Sequence, residues 1–246
     1  MKISIITVCY NSAATVEDTI RSVASQTYGN IEYIIVDGNS VDGTVDIIKK
    51  YPETVSQWIS EPDKGLYDAM NKGVAMATGD YVGILNSDDV FHEAQTIEKI
   101  ADFLRNNPVD ACTGDILQHR NGKTLRRYSS KRWDPEKLKI GFMPPHPSIF
   151  LKRQLFDNLG VYIVGYKIAS DYELIIRYFL KHKITWKYSG VTTTSMAMGG
   201  ASSSGLTSYR TITSEVGQAF TGNQIDYSPL KVKYRIIWKL IGFLQK

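Results

Sequence analysis

Residues 31–44 read IEYIIVDGNSVDGT and decide the fold. The first six are mostly apolar and β-branched, which predicts a buried strand. Residues 37–42 are polar and include glycine and asparagine, as loops do, and a helical pattern follows over residues 44–50. The stretch therefore predicts one strand, loop and helix unit of an α/β sheet.

The same unit recurs before and after this stretch. Further strands are predicted at residues 3–8, 58–59 and 81–85, and helices at residues 16–23, 66–77 and 93–105. Strands that alternate with helices in this way are typical of an open, mostly parallel sheet flanked by helices. This is the fold class that we expect.

The alternation ends after Pro108. Residues 111–118 and 124–128 flank Asn121-Gly122, a turn signal that predicts a hairpin. A proline-rich loop, a short strand at 148–151, a helix from 170 to about 182 and an apolar run at 184–188 follow. Residues 189–208 are rich in Ser, Thr and Gly and predict a mobile loop.

Composition indicates one large domain with a sizeable core. Of 246 residues, 43% are hydrophobic and 22% are charged, as in ordinary soluble proteins. No run approaches the roughly 20 apolar residues that cross a bilayer, and the apolar N-terminal run is too short for a signal peptide. Cys9 and Cys112 are far apart, which indicates neither a disulfide framework nor a zinc site. We expect a cytoplasmic protein.

The two halves of the chain have opposite charge. Residues 1–110 carry 8 Lys and Arg against 17 Asp and Glu, whereas residues 111–246 carry 21 against 8. This asymmetry favours a cation or a polar site in residues 1–110, and an anionic surface as the partner of residues 111–246. Because no zinc finger or aromatic-basic motif is present, nucleic acid is not the expected partner.

Polar residues follow three predicted strands: Thr7, Tyr10 and Asn11 the first, Asp37, Ser40 and Asp42 the second, and Asn86, Asp88 and Asp89 the fourth. In parallel α/β sheets, ligands bind beyond the carboxyl ends of the strands. The chain has neither the GxGxxG of dinucleotide-binding folds nor the GxxxxGK[ST] of P-loop proteins. A different class of ligand site is therefore expected at this edge.

Two adjacent carboxylates, Asp88 and Asp89, repel each other unless a cation lies near, and Mg²⁺ or Mn²⁺ carrying phosphate oxygens would satisfy them. The alternative is that residues 87–89 cap the next helix. Asp37, at a strand end, could accept a hydrogen bond from a base N–H, as an acidic residue meets ribose in dinucleotide-binding folds. The alternative for Asp37 is an Asx-turn.

Six motifs occur in order between residues 2 and 92: TVCYN (7–11), IVDGNSVDGT (35–44), DKG (63–65), NKG (71–73), ATGDY (77–81) and LNSDD (85–89). Together they closely resemble the family 2 glycosyltransferases. The resemblance implies a GT-A fold and transfer of a sugar from a nucleotide diphosphate. It thins beyond residue 115, so we expect a donor half at residues 1–115, an acceptor half of the same domain at 116–220 and an extension at 221–246.

The resemblance also implies roles for single residues. Asp37 would contact the base and Lys64 the base or phosphate, while the nucleotide pocket would be lined by Thr7, Tyr10, Asn11 and Ser40. Asp89 would bind the metal, and Asp88 would be shared between ribose and metal. Asn86 stands where the family often has Asp, which leaves one charge fewer for the cation.

In the rear half, the family commonly carries a Glu-Asp pair at a helix start, and residues 170–173 read SDYE there. The resemblance makes Asp171 the candidate catalytic base, although Ser170 and Glu173 also read as a capping box. His146, in a loop with prolines, is assigned to the acceptor or a phosphate, its alternative being an exposed loop histidine. Residues 198–203 resemble a loop that covers the donor in relatives, or form an ordinary surface loop.

Residues 229–246 predict a basic amphipathic helix, with five basic residues and no acidic ones. Its apolar face could lie on an anionic membrane, on this domain or on a second copy of the chain, as in a homodimer. With the resemblance, the sequence predicts an inverting glycosyltransferase dependent on Mg²⁺ or Mn²⁺ at the inner membrane face. Its donor would be a UDP-sugar, ahead of GDP- or dTDP-sugars, and its acceptor a surface-glycan or lipid-linked saccharide. A nucleotidyltransferase and a non-catalytic scaffold are the alternatives.

Overall fold

The computed structural model describes residues 1–120, 123–197 and 206–233. This part of the chain contains nine strands, β1 (Ile3–Cys9), β2 (Ile31–Asp37), β3 (Gln57–Ser60), β4 (Tyr81–Ile84), β5 (Asp89–Phe91), β6 (Ala111–Arg120), β7 (Lys123–Ser129), β8 (Ile149–Lys152) and β9 (Trp186–Ala197). Its α-helices are α1 (Val16–Ala24), α2 (Thr44–Ile48), α3 (Leu66–Met76), α4 (Thr96–Asn106), α5 (Arg153–Leu159), α6 (Ser170–Ile175), α7 (Leu206–Gly222) and α8 (Pro229–Lys233). Short 3-10 turns lie at Pro135–Ile140 and His146–Ser148, and π-helical turns at Ile176–Lys181 continue α6.

The strands form one sheet in the order β3-β2-β1-β4-β8-β6-β9-β5, with β7 paired to β6. The first four strands in this order are parallel, as the repeated strand and helix units predict. In the register, Cys9 lies beside Asp37 and Ile6 beside Ile84. The loops that follow β1, β2 and β4 therefore leave the sheet at one edge.

Antiparallel pairing enters with the rear half. β8 lies between β4 and β6 and is antiparallel to both, while β9 is parallel to β6 and antiparallel to β5. The β6–β7 hairpin was predicted and is confirmed. The sheet is continuous across residue 115, because β6 spans it. A mixed α/β sheet flanked by helices is thus confirmed, and its parallel part is the front half.

Strand β2 shows how the two faces of the sheet are filled. Ile34 and Val36 point into the core beneath α3, whereas Tyr33 and Ile35 point into the opposite core beneath α1 and α4. All four are completely buried. A strand buried on both faces shows a continuous apolar run, which is the pattern that made this stretch readable. Each such side chain contributes about 1.5–3 kcal/mol by leaving water.

The predicted mobile loop at residues 189–208 is wrong over its described part. Residues 189–197 belong to β9, and residues 206–208 begin α7. Thr193 and Thr194 are buried between β9 and its neighbours, because the β-branched threonine side chain packs well on a pleated surface. The predictions also missed β5, three residues long, and α5.

The predicted amphipathic helix at residues 229–246 is described only to residue 233. Its first five residues form α8, where Val232 is buried in the main core and Leu230 is exposed. This much of the predicted amphipathic helix packs on the domain. The remainder of the predicted helix, 234–246, lies outside the described residues, as do residues 198–203.

Among the described residues, no helix has the length and hydropathy needed to pass through a bilayer.

Candidate functional site

Three polar loops meet at the carboxyl edge of the parallel strands. The backbone N–H of Asn11 donates to Ser40 Oγ at 2.7 Å, and Asn11 Oδ1 accepts from Val41 N at 3.1 Å. Ser12 and Ser87 join the first loop to the third through their hydroxyls, 3.0 Å apart. The structure thus brings together the loops after β1, β2 and β4.

Asp37 ends β2 beneath these loops and is completely buried. Its carboxylate accepts hydrogen bonds from Ser40 N and Oγ and from Ser60 Oγ, at 2.9, 2.5 and 2.7 Å. The Cys9 thiol lies 3.5 Å from Oδ1. The Asx-type contact to Ser40 N is therefore present, and a nucleotide base would reach this carboxylate only by displacing a serine hydroxyl.

The residue types above Asp37 suit a planar ligand. Tyr10 is 66% exposed, the largest such fraction for an aromatic residue in the described chain. Gly38 lies beneath it, and a Cβ there would come within 2.5 Å of Asp63 Oδ2 and 3.3 Å of the Tyr10 ring. Gly38 therefore permits the loop carrying Asp63 to close on β2. Asp63 belongs to a quoted motif, but the sequence assigned it no role.

Thr7 requires a correction. Its side chain is completely buried, and its hydroxyl donates to Leu85 O at 2.7 Å and accepts from Tyr33 at 3.0 Å. Because the Thr7 hydroxyl is buried and both of its hydrogen bonds go to neighbouring strands, it does not line an open pocket. Lys64 is exposed beside Asp63, and its backbone N–H donates to Asp68.

The two adjacent carboxylates have opposite environments. Asp88 is exposed and makes no hydrogen bond within the described residues, whereas Asp89 is completely buried at the start of β5. Asn86 Nδ2 donates to Asp89 Oδ2 at 2.9 Å, and Asp89 Oδ1 has no hydrogen-bond partner. Burial, with the Asp88 charge adding to it, raises the pKa of Asp89 to about 7. The exposed carboxylate is Asp88, whereas the sequence assigned the direct metal contact to Asp89 and a shared one to Asp88, and that assignment stays a prediction.

These two carboxylates are compatible with Mg²⁺ or Mn²⁺. The fit rests on Asp89 Oδ1, a buried oxygen that lacks a partner, with the free Asp88 carboxylate beside it. The described residues contain no group of three or more His, Cys, Asp or Glu side chains able to hold a metal, at this site or elsewhere, so a cation here would take its other ligands from outside the protein. Magnesium commonly binds through one or two protein carboxylates and completes its shell with phosphate oxygens and water.

The predicted cap at residues 87–89 is wrong, because the next helix, α4, begins only at Thr96. Asp89 instead enters β5, paired with Met196 of β9. Thr19 Oγ1 donates to the Asp89 backbone carbonyl at 2.8 Å, which anchors this short strand on α1. Asp89 is thus held by β9 and by α1, and the acidic pair does not cap α4.

We expect Asp89→Asn to stabilise the metal-free protein. The folded-state pKa of Asp89 is raised from 3.8 to about 7, so ionisation costs folding free energy, increasingly as pH rises through this window. An uncharged amide avoids that cost at pH 8. The melting temperature at pH 8 with a chelator present should rise on the order of 5 °C, and the gain should shrink towards pH 4. An unchanged melting temperature at pH 8 would contradict the charged, unpaired state of Asp89.

A second group of titratable side chains surrounds Asp171, at the start of α6. Asp171 Oδ1 accepts from the Tyr172 N–H at 2.8 Å and lies 3.3 Å from the Tyr67 hydroxyl, which also donates to Ile168 O. Burial raises the pKa of Asp171, while His146, Tyr67 and the Tyr172 N–H oppose the rise. Asp171 as a whole residue is half-buried. A carboxylate of raised basicity can accept a proton from a bound hydroxyl.

His146 belongs to this group. Its Nε2 lies 2.9 Å from the Tyr162 hydroxyl, and burial lowers its pKa although the Asp171 charge opposes the fall. Tyr162 stacks on Tyr67 at 5.9 Å between ring centroids. The sequence assigned His146 to the acceptor or a phosphate, and the structure brings it to the Asp171 side. Its alternative, an exposed loop histidine, is wrong.

The predicted capping box at residues 170–173 is wrong. Ser170 Oγ donates to Ile163 O, and the Glu173 carboxylate pairs with Arg177 at 2.9 Å and accepts from Asn223. The helix therefore begins without a side-chain cap, and Glu173 instead forms a buried ion pair with Arg177. Tyr67 and Tyr162 were missed, because tyrosines with apolar neighbours in sequence read as core residues.

With the geometry in place, comparison with known proteins identifies the chain. The family model described as glycosyl transferase family 2 matches residues 4–172. A PGL/p-HBAD biosynthesis glycosyltransferase of Mycobacterium tuberculosis is 32% identical over 200 residues, covering 78% of this chain and 75% of the relative. The chain belongs to glycosyl transferase family 2. It is therefore a glycosyltransferase, which removes the nucleotidyltransferase alternative.

Solved structures of similar fold agree on architecture. Staphylococcus aureus TarS in complex with UDP-GlcNAc superposes with a TM-score of 0.73 at 19% identity, covering 96% of this chain and 72% of that one. The mannosyltransferase PcManGT from Pyrobaculum calidifontis, in complex with GDP-Man and Mn²⁺, gives 0.71 at 20% identity, covering 99% and 73%. At these identities the likeness concerns the fold, and the GT-A fold expected of this glycosyltransferase is confirmed.

Proposed function

We propose that this glycosyltransferase inverts the anomeric centre of a UDP-sugar and uses Asp171 as its catalytic base. The observation that carries the proposal is the Asp171 environment: a carboxylate whose pKa is raised by burial, held by the Tyr67 hydroxyl and the backbone of α6. The likeness to TarS, whose structure contains UDP-GlcNAc, supports a uridine nucleotide.

In the proposed reaction, an acceptor hydroxyl attacks the anomeric carbon of the donor sugar. A new carbon–oxygen bond forms while the bond to the diphosphate breaks, and the nucleoside diphosphate leaves with the electron pair. The acceptor proton passes to Asp171, because a carboxylate whose pKa is raised towards neutrality accepts a proton more readily than an ordinary one. A single displacement of this kind needs no nucleophile from the protein.

The donor would lie across the three loops at the sheet edge. Tyr10 would pack on the base, Asp37 would accept from a base N–H after a serine hydroxyl moves, and Asn11, Ser40 and Lys64 would complete the nucleotide contacts. Mg²⁺ or Mn²⁺ held by Asp88, with Asp89 behind it, would neutralise charge on the leaving diphosphate. The Mn²⁺ in the PcManGT structure supports a divalent cation of this kind.

We propose a surface-glycan or lipid-linked saccharide as acceptor, at the cytoplasmic face of a membrane. The relative named for PGL/p-HBAD biosynthesis supports a cell-envelope glycan. So does a Bacillus subtilis relative named for teichuronic acid biosynthesis, 33% identical over 129 residues.

A thermal-shift comparison of nucleotides tests the donor assignment. UDP at about a hundred times its Kd, with Mn²⁺, should raise the melting temperature by about 5–10 °C, since a ligand that binds only the folded state stabilises it by mass action. GDP, dTDP and CMP should have smaller effects, and a chelator should reduce the UDP effect. A larger shift with GDP than with UDP would overturn the uridine assignment, and no shift with any nucleotide would overturn the proposed function.

Tyr67→Phe should change the pH dependence of transfer. The Tyr67 hydroxyl stabilises the charged form of Asp171, so its loss raises the pKa of Asp171 further. The acidic limb of kcat/KM should then move to higher pH, with activity about fivefold lower at the acidic end and equal to wild type at high pH. Tyr81→Phe is the matched control, because its hydroxyl donates to the backbone carbonyl of Val109 and not to Asp171. A uniform loss at every pH would contradict this role.

A further inference from the structure

A cavity of about 290 Å³ lies beside the Asp171 group. It opens between the start of α3, residues 64–68, and residues 164–167 of the segment that leads to α6. Tyr67 forms part of its wall and also contacts Asp171. A molecule in the cavity is therefore separated from the proposed base by one side chain.

The segment on the far side of the cavity, residues 159–169, is rigidly held. Arg177, only 12% exposed, donates to the carbonyls of Leu159, Gly160 and Val161, and these contacts fix its beginning. Glu215 of α7 is buried and accepts from three consecutive backbone N–H groups, those of Lys167, Ile168 and Ala169, which fixes its end.

The middle of the same segment is fixed as well. Asn71 of α3 exchanges two hydrogen bonds with the backbone of Tyr162, at 2.8 and 3.0 Å. Three polar side chains from three helices therefore determine the path of this segment. Its surface residues are presented in one arrangement.

Apart from Lys167, the side chains that this segment exposes are apolar. Val164 is 42% exposed and lines the cavity, and Leu66 on the opposite wall is 47% exposed. Ile163, next along the chain, is 45% exposed. Single exposed apolar residues are ordinary, but a group on a preorganised rim beside a cavity is typical of a binding surface.

The charged residues of the rim indicate which kind of ligand would fit the cavity. Lys64 and Lys167 line the cavity, and neither forms an ion pair with any described residue. Asp68 also lines it, but its carboxylate accepts from Lys64 N at 3.0 Å and lies 4.0 Å from Lys72 Nζ. Because the donor assignment uses Lys64, Lys167 is the cation left to the cavity. An apolar rim with one such positive charge complements an apolar chain that carries a negative group.

We infer that this cavity binds the lipid-phosphate end of the acceptor, with the apolar chain on Leu66 and Val164 and the phosphate near Lys167. The inference rests on the proposed function, since Asp171 places the acceptor here. The saccharide would then extend from the cavity past Tyr67 to the base. The acceptor would then be a saccharide that is joined to a lipid through a phosphate.

Octyl phosphate, titrated calorimetrically into the full chain below its micelle concentration, tests the inference. The wild-type protein should bind it, and Leu66→Ser with Val164→Ser should weaken binding about twentyfold, from the loss of roughly 40 Å² of apolar contact at each residue. Leu125→Ser is the control, because Leu125 is 39% exposed on β7 and does not line the cavity. Lys167→Gln should weaken octyl phosphate about threefold and leave neutral octyl glucoside unchanged.

Titration with inorganic phosphate distinguishes a free phosphate from a lipid phosphate as the ligand. Inorganic phosphate should bind far more weakly than octyl phosphate, and equal affinity would overturn the lipid assignment. Octyl phosphate that binds the Leu66→Ser, Val164→Ser variant as tightly as wild type would overturn the site. The UDP-dependent melting shift, measured on the same proteins, should persist in every variant. Its absence from wild type would refute the proposed donor, which is a separate outcome from a failure at the cavity.

Discussion

Asp171→Asn should reduce transfer from a UDP-sugar by about a hundredfold to ten-thousandfold, the range for loss of a general base. The amide has the shape of the carboxylate and its oxygen can still accept from Tyr67 and the Tyr172 N–H, but it cannot take up the acceptor proton. The measurement is sugar transfer with Mn²⁺ present, as initial rates at saturating donor.

Stability and donor binding provide the controls for this variant. Because burial raises the pKa of Asp171, the ionised carboxylate costs folding free energy at neutral pH, and an uncharged amide should melt no lower than wild type. The UDP-dependent melting shift should also be retained. Asp157→Asn is the matched substitution, since Asp157 is exposed and its ion-pair partner among the described residues is Arg153 of the same helix. An Asp171→Asn protein with more than a tenth of wild-type activity would disprove the role of Asp171 as base.

The front half of the fold was predictable because its signals are local. Each of its first four parallel strands is a short apolar run followed by a polar loop and a helix, and neighbours in sequence are mostly neighbours in the sheet. The rear half is assembled by pairing between distant segments, as when β8 inserts between β4 and β6. Nothing in the residues of β9, with its run of Thr and Ser, distinguishes a buried strand from a loop until its partners are known.

The same contrast holds within the site. The acidic and polar residues at the sheet edge were found because each follows a strand, and their loops meet as expected. Burial was not predictable: Thr7 and Asp89 face inwards, while Asp88 faces solvent. The contact of Tyr67 with Asp171 spans 104 residues of chain, so only the packing of α3 against the segment before α6 reveals it.

The opposite charges of the two halves also acquire a physical meaning. Of the front-half carboxylates, Asp37 is buried and its oxygens accept hydrogen bonds within the protein, whereas Asp88 is exposed at the sheet edge and accepts none from the described residues. An exposed carboxylate alone would repel a diphosphate, so the proposed donor requires a cation there. In the rear half, Lys167 is an uncompensated charge at the acceptor cavity and Arg177 is a structural one. The net charge of each half of the chain therefore does not indicate which ligand its site binds.

Asp88→Asn should abolish the metal-dependent part of donor binding. Asp88 is the exposed carboxylate of the acidic pair and makes no hydrogen bond within the described chain, so its charge is available to a cation. We expect kcat/KM with Mn²⁺ to fall about a hundredfold, because a bound metal contributes several kcal/mol of charge stabilisation at the leaving diphosphate. Calorimetric titration of UDP with Mn²⁺, and again with a chelator, should show that only the affinity measured with Mn²⁺ has fallen.

Comparison with Asp89→Asn separates loss of a ligand from damage to the loop. Replacement of the exposed Asp88 should leave the metal-free melting temperature within about 1–2 °C of wild type, whereas replacement of the buried Asp89 should raise it. Added Mn²⁺ should stabilise the wild type in the presence of UDP and have little effect on Asp88→Asn. If Asp88→Asn keeps the full Mn²⁺ effect and Asp89→Asn loses it, Asp89 is the direct ligand. Residues 86–89 must then rearrange on binding, because in the structure Asp89 Oδ1 is closed off from solvent.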